Sequence, residues 1–593
     1  MYILRPLPVR SLLQPPTLGT PLNLRTMTVN LSVSEQMNDQ TDIQSFARLR
    51  SLGPAIAVGL LAVIAIALGT GADRVKAAVR PSFVVIQLDD FTNTHLNSRW
   101  IDSEGRKRPN MPITRELLVD RGMTFTRYQT STPVCSPSRA SLLSGRYAAN
   151  HDVLRNIGER GGWQAFSSNP ILSENLATWL DSSGYRTMHF GKFLNQYELP
   201  GYTPNPLVPP GWDVWQTDAT DPSTRNYYGY RLNVNGLIEG PFGSIVYGPD
   251  TEKETEDCLV LGPRFCQYHT DLVTTRAIEA IEQTDSSEPF YAQIDFHTPH
   301  GDRRAPYGPE PALRHYDSAK ATPIPRVWGY DEANVSDKPS HIRKLKRIDP
   351  ASAARIRSFY SKAVESLQAV DESIETVIQT LARTGRLKNT YVILTSDNGL
   401  FHGEHRVRTG KVLPYEAAVT VPFLIRGPGV PQGEESGELV AAPDIAPTVL
   451  SLAGTSAPVS LDGRSMVPFL KDPEKKTRRP ILYALYGRNG SGATEGTRPF
   501  YEGIRVGPYK YVRYATGERE LYDLTRDPAE LVNQIKNPRF RSVLAYMEST
   551  FSRYLGCEGT ECRRPAPQWP VVTGGSTKPL TGSAGGVRPP RDS

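Results

Sequence analysis

Short runs of β-branched and aromatic residues recur along this chain, separated by longer stretches of helical period. Residues 82–88 (SFVVIQL) form the first run and end at Asp89-Asp90. Similar runs lie at 185–190 (YRTMHF), 289–295 (PFYAQID), 391–396 (YVILTS) and 421–426 (VPFLIR). Apolar runs of this length read as strands covered on both faces. Between them, Ile356, Phe359, Ala363, Leu367, Val370, Ile374, Val377 and Leu381 step by three or four, which predicts a helix with Gly385 at its C-terminal cap. The alternation predicts an α/β core with a mostly parallel central sheet flanked by helices, spanning 81–475. Ligands of such sheets bind beyond the carboxyl ends of the strands. The pattern changes after residue 475. Residues 500–524 (FYEGIRVGPYKYVRYATGERELYDL) are rich in Tyr and Val with Gly-centred turns, the pattern of an antiparallel hairpin or meander. A helix is predicted near 538–555, completing a smaller C-terminal antiparallel subdomain over 476–563. From Pro565 Pro, Gly, Ser and Thr dominate, and 564–593 is expected to be a disordered tail.

The N-terminal 1–80 reads as a leader. Its apolar run 54–68 (PAIAVGLLAVIAIAL) follows Arg48 and Arg50, precedes small residues, and is shorter than the about 20 residues of a membrane span. That is a signal-peptide pattern. The long stretch ahead of it implies either a start at an internal methionine such as Met37 or retention as a signal anchor. The protein is therefore expected to be secreted, extracytoplasmic or anchored on the outer face, touching a membrane only through this segment. Of the net charge of +6, the leader's eight Lys/Arg against four Asp/Glu supply +4. No concentrated basic stripe with a recognition motif remains, so no nucleic-acid partner is expected. In an oxidising compartment the spacings of the five cysteines suggest the pairs Cys258–Cys266 and Cys557–Cys562. Cys135 is left over.

Two acidic clusters fall at strand ends, Asp89-Asp90 and Asp397-Asn398. Three carboxylates and an amide make an all-oxygen set suited to calcium, with magnesium second, and not to zinc. Arg139 lies one helical turn beyond Cys135, Lys192 ends the strand in HFGKFLNQY, and Lys411 sits in RTGKVLPYE. A guanidinium fork with two ammonium groups is what a tetrahedral oxyanion ester requires. His300, in DFHTPHG, could serve as a general acid; spacing alone does not exclude His297 or His402. Pro137 fits the first position of a helix, which would put Cys135 at its positive end.

The stretch CSPSR followed by ASLLSGRY (135–147) resembles the signature of the type I sulfatases of the alkaline phosphatase superfamily. VVIQLDD (84–90), GYRTMHFGKFLNQY (184–197), FHTPHG (296–301), TSDNGLFHGEH (395–405), GKVLPYE (410–416) and LYDLTRDPAE (521–530) extend the resemblance over nearly the whole chain from about residue 80. GKFLNQY, VPPGWDVW (208–215) and NVSDKP (334–339) are most similar to the branch of N-acetylglucosamine-6-sulfatases and heparan sulfate endosulfatases. The resemblance implies an alkaline-phosphatase-like fold and a sulfuric ester hydrolase. It implies that a maturation enzyme oxidises Cys135 to formylglycine (3-oxoalanine). Asp89, Asp90, Asp397, Asn398 and position 135 would then bind one divalent cation. Hydrated position 135 would attack sulfur and form a covalent enzyme-sulfate intermediate, with Arg139 activating it. Lys192, Lys411, Asn195 and His300 would hold the substrate, and His300 or Lys411 would protonate the leaving oxygen. Many sulfatases carry a histidine two residues after the first catalytic lysine; here Leu194 stands there, and Asn195 is a candidate for its hydrogen bond. The expected substrate is a sulfated sugar such as N-acetylglucosamine 6-sulfate. The alternatives are an aryl sulfate, a phosphonate or phosphate ester handled by the same site, an unmodified Cys135 thiolate nucleophile, or a catalytically silent protein that binds sulfated glycans.

Overall fold

A computed structural model describes residues 80–197, 207–219, 227–243, 267–302, 308–325, 327–487 and 499–572. The apolar run 54–68 and the pair Cys258–Cys266 lie outside the described residues. The first strand, β1 (Ser82–Leu88), is buried along its whole length. Its side chains alternate between two cores. Phe83 and Val85 belong to one, Val84, Ile86 and Leu88 to the other, which is why the run carries no polar face.

The strands β2 (Met123–Phe125), β3 (Arg186–Gly191), β4 (Val214–Asp218), β5 (Tyr230–Val234), β6 (Leu237–Phe242), β7 (Phe290–Asp295), β8 (Thr390–Ser396), β9 (Phe423–Arg426) and β10 (Glu434–Ser436) complete a ten-stranded sheet of order β10-β2-β9-β8-β1-β7-β3-β4-β5-β6. The central strands β8, β1, β7, β3 and β4 run parallel. The run at 421–426 does form a strand, but β9 pairs antiparallel with β8. Helices α1 (Cys135–Ser144) and α4 (Ile445–Ala453) cover the Phe83 face. Helices α2 (His269–Gln283) and α3 (Pro350–Arg383) cover the Val84 face. Helix α3 matches its predicted period and ends as foreseen: Gly385 has φ 73°, and Arg386 N donates to Leu381 O at 2.8 Å in a Schellman-type closure. Phe359 is the exception on the predicted face; it is only half-buried, and Tyr360 takes the core position.

The four-stranded meander β11 (Pro480–Tyr486), β12 (Pro499–Val506), β13 (Tyr509–Tyr514) and β14 (Arg519–Asp523) is antiparallel throughout. Helix α5 (Arg541–Tyr554) packs on one face through Val543, Met547 and Phe551. The other face, through Ile481, Tyr483, Leu485 and Tyr501, closes over Val134, Val419 and Leu439. The Cys557–Cys562 disulfide is present. The expected disordered tail is corrected at its start: Ala566 and Val572 are buried in the α5 cluster with Trp569 against it. Proline-rich composition concealed three well-spaced apolar residues that the meander could cover.

Candidate active site

In-register pairing sets the site. Leu88 lies opposite Ser396, Gln87 opposite both Asp295 and Thr395, and Asp295 opposite Gly191. The parallel strands therefore end together, and the residues at and just beyond their ends form one row: Asp89-Asp90, Lys192, Asp295 through His300, and Asp397-Asn398. Gly191 is required at this edge, because a Cβ there would meet Asp295 O at 2.3 Å. Asp90 has φ 68°, a conformation carboxylate and amide side chains tolerate better than most.

Helix α1 brings Cys135 to this row. The helix begins at Cys135 itself, so Pro137 occupies its third position rather than its first. Proline is tolerated there because the first N–H groups have no intrahelical partner. Cys135 is 2% exposed and stands at the helix's positive end. Lys411 Nζ donates to Cys135 Sγ at 3.0 Å and to Asp90 Oδ1 at 2.6 Å, and lies 3.5 Å from Asp89 Oδ1. Burial opposes the Lys411 charge, but Asp90, Cys135 and Asp397 outweigh it and hold its pKa above the ordinary lysine value. Lys192 Nζ contacts Asp89 Oδ2.

Arg139 is fixed on three sides. Its Nε donates to Asp397 Oδ2 at 3.0 Å, and Nη1 donates to Lys192 O at 3.0 Å and Asp295 Oδ2 at 3.1 Å. Its buried Nη2 has no partner among the described residues. His300 Nε2 sits 3.8 Å from Asp90 Oδ2. An oxygen of Asp89 and a ring nitrogen of each of His297 and His300 lie within 4.8 Å of one another, as do ligand atoms of Asp89, Cys135 and Asp397. Nine of the ten predicted site residues thus converge, Asp89, Asp90, Cys135, Arg139, Lys192, His300, Asp397, Asn398 and Lys411, and the tenth, Asn195, does not.

Other readings change. His402 is removed from the site; its ring packs against His95 and Tyr360 in a buried cluster. Asn195 does not reach the row. Its Oδ1 accepts from Ser136 Oγ at 2.8 Å and its main-chain N donates back to the same hydroxyl at 3.0 Å, so it fixes the turn beside Cys135. Leu194 lies in the Phe83-side core. Asp295 was missed, although it ends its strand as Asp89 follows β1; a lone strand-end carboxylate carries little signal.

The oxygen donors fit a divalent cation. Asn398 Oδ1 is buried with no hydrogen-bond partner among the described residues. Burial pushes the Asp90 carboxyl up, against the pull of Lys411, and the Asp397 charge adds to the rise. A cation among these atoms would satisfy the amide oxygen and relieve the crowded carboxylates.

The sulfatase family model matches residues 81–455, and the model of the C-terminal region of N-sulphoglucosamine sulphohydrolase matches 403–555. This chain is a sulfatase. It belongs to that family as a sulfuric ester hydrolase. It is 31% identical to an arylsulfatase of Volvox carteri over 83% of this chain and 77% of that protein. It is 28% identical to the human (Homo sapiens) N-acetylglucosamine-6-sulfatase over 87% of this chain and 91% of that protein. A protein solved in complex with its substrate D-glucosamine-2-N,6-O-disulfate shares the fold with a TM-score of 0.63 at 21% identity, covering 82% of this sulfatase and 98% of that chain.

Proposed function

We propose that this sulfatase removes sulfate from a sugar such as N-acetylglucosamine 6-sulfate, with formylglycine made from Cys135 as its nucleophile and calcium as its metal. The observation that carries this reading is the buried Cys135 Sγ, which forms no disulfide among the described residues. It lies under Lys411 Nζ at 3.0 Å and beside Asp89 at 3.8 Å. The similarity to N-acetylglucosamine-6-sulfatases over most of the chain supports the choice of sugar.

Asp89, Asp90, Asp397 and Asn398 would hold the cation, which supplies positive charge beside position 135 and lowers the pKa of a hydroxyl there. Position 135, as hydrated formylglycine, would supply two hydroxyls to the site, a nucleophile and a second group able to release the sulfate. The surrounding side chains do the rest. Arg139, locked by Asp397 and Asp295, keeps a buried Nη2 without a partner among the described residues and would serve as a fixed donor. Lys192 and Lys411 neutralise the sulfate oxygens. His300, whose Nδ1–H donates to Gly301 O at 2.8 Å, would donate from Nε2 to the departing sugar oxygen in its imidazolium form, with Lys411 the other candidate. A signal segment at 54–68 and the Cys557–Cys562 disulfide support export. No helix among the described residues is long and apolar enough to cross a membrane.

The test is a mass spectrum of the tryptic peptide Tyr128–Arg139 from protein made in its native host, paired with turnover of N-acetylglucosamine 6-sulfate. Replacement of the thiol by an aldehyde or its hydrate is expected, together with sulfate release that Cys135→Ala abolishes. An intact thiol in an active preparation would overturn the formylglycine reading in favour of a thiolate nucleophile. Turnover of aryl sulfates alone would overturn the sugar assignment.

A further inference from the structure

A cleft of ≈ 650 Å³ opens where the loops beside β2 and β10 meet the meander, a volume in the range of small-ligand pockets. No residue of the Cys135 row lines it. Arg127, Lys476, Arg505, Glu416 and Glu438 supply its charges, and Trp569 an apolar wall. The two carboxylates already have partners. Glu438 accepts from Arg464 Nη2 at 2.6 Å and Thr477 N at 2.9 Å. Glu416 accepts from Arg505 Nη1 at 2.7 Å, and Lys510 Nζ lies 2.7 Å from its other oxygen.

Two of the cations have no carboxylate partner among the described residues. Arg127 donates to the main-chain carbonyls of Gly437 at 3.3 Å and Gly507 at 2.5 Å, and neither it nor the exposed Lys476 forms an ion pair with a carboxylate among the described residues. Arg505 is 4% exposed, and its Nε finds no acceptor among the described residues. Burial and the neighbouring Arg505 hold Arg127 down to about 10, a strain that a bound anion would relieve. Trp569 rests on Gly507, where a Cβ would come within 2.6 Å of the ring, so the indole is seated firmly at the edge of the cleft.

We propose that this cleft is a second oxyanion pocket, separate from the Cys135 row, which takes a sulfate group either free or carried on a saccharide lying against Trp569. A guanidinium with an ammonium nearby matches a tetrahedral oxyanion, and an aromatic wall suits the C–H face of a sugar. The choice of sulfate among oxyanions rests on the activity proposed above; the charge argument does not.

The experiment uses the full chain with Cys135→Ala, which prevents turnover, and titrates it calorimetrically with sodium sulfate and with a heparin-derived tetrasaccharide. Each titration is repeated with Lys476→Glu and with Arg127→Gln added. Lys476 is exposed, so its replacement leaves the fold intact even if loss of the Arg127 bonds does not. Both replacements are expected to weaken binding about tenfold or more, while the same replacements in the Cys135 enzyme leave turnover of 4-nitrophenyl sulfate within about twofold. Variant-sensitive binding of the tetrasaccharide alone identifies a saccharide-borne group; variant-sensitive binding of sulfate as well identifies the free anion. Binding that neither replacement changes, or no binding beyond that of the Cys135 row, overturns the proposal. Variant-sensitive binding in an enzyme that hydrolyses no sulfate ester would sink the proposed activity and leave the pocket standing. The converse result would do the opposite.

Discussion

Asn398 contributes its side-chain oxygen to a row of carboxylates without receiving a hydrogen bond there. Protein stripped with EDTA is therefore expected to gain melting temperature on adding calcium, since a ligand bound only by the folded state stabilises it. Asn398→Ala should need at least about tenfold more calcium for half the gain, the loss typical of an altered metal shell. A melting curve insensitive to calcium would remove the metal from this site. His402 makes a second residue-scale prediction. Burial lowers its pKa from 6.5 to about 4, so the folded protein holds it neutral where the unfolded chain would protonate it. Its contribution is complete above pH 6.5 and is lost as pH falls toward 4. Between pH 7.5 and pH 5 this amounts to about 2 kcal/mol. Denaturant titrations at the two pH values should show a smaller fall for His402→Gln than for the parent chain. The carboxylates of the row were legible because strand ends in α/β sheets point at ligands, and Cys135 because it had no local partner. Asp295 and His189 were not. They act by bracing Arg139: Asp295 accepts from it at 3.1 Å, and His189 Nε2 lies 3.3 Å from the same oxygen. Nothing local in the chain marks a brace.

The short segment from Lys411 to the helix Glu416–Val419 is held from outside its own strand. Val412, a β-branched residue, has φ 73°, and its N–H donates to Pro133 O at 3.2 Å. Such a conformation persists only where surrounding structure over-determines it. Much of that constraint comes from β13. Lys510, 1% exposed, donates to Pro414 O at 2.8 Å and Glu530 Oε1 at 2.8 Å, and Glu416 N donates to Glu530 Oε2 at 2.7 Å. Lys510→Met leaves the buried Glu530 and the half-buried Glu416 with one cation fewer, a loss of about 3 kcal/mol. At temperatures where this variant remains folded by circular dichroism, kcat is expected to fall at least about tenfold with a smaller change in KM, because Lys411 loses its placement rather than the substrate its pocket. An unchanged kcat would show that the segment holds itself. The strands and α3 could be read from periodicity alone. This coupling could not, since it joins residues about a hundred positions apart through buried charges.

At the scale of the whole molecule the meander is part of the site's support, not an appendage. One of its faces packs on α5 and the segment 565–572, the other on Val134 beside Cys135. Ending the chain at Arg564 removes Ala566, Trp569 and Val572 from the α5 cluster. Calorimetry should then record a melting temperature lower by a few degrees, with turnover at 25 °C little changed. No change would mean that the segment only rests on the surface. The α/β class was evident from the alternation of runs, but the enclosure of Val134 was not, because no local pattern says which distant face a half-buried residue will meet. That enclosure also has a meaning in time. Strands near residues 480–514 leave the ribosome long after Cys135, and at ordinary rates of synthesis the delay is on the order of tens of seconds. Until they arrive, the lid over Val134 and the hold on Lys411 are both missing. Any catalyst that reaches the Cys135 thiol in that interval meets a chain in which neither is yet in place.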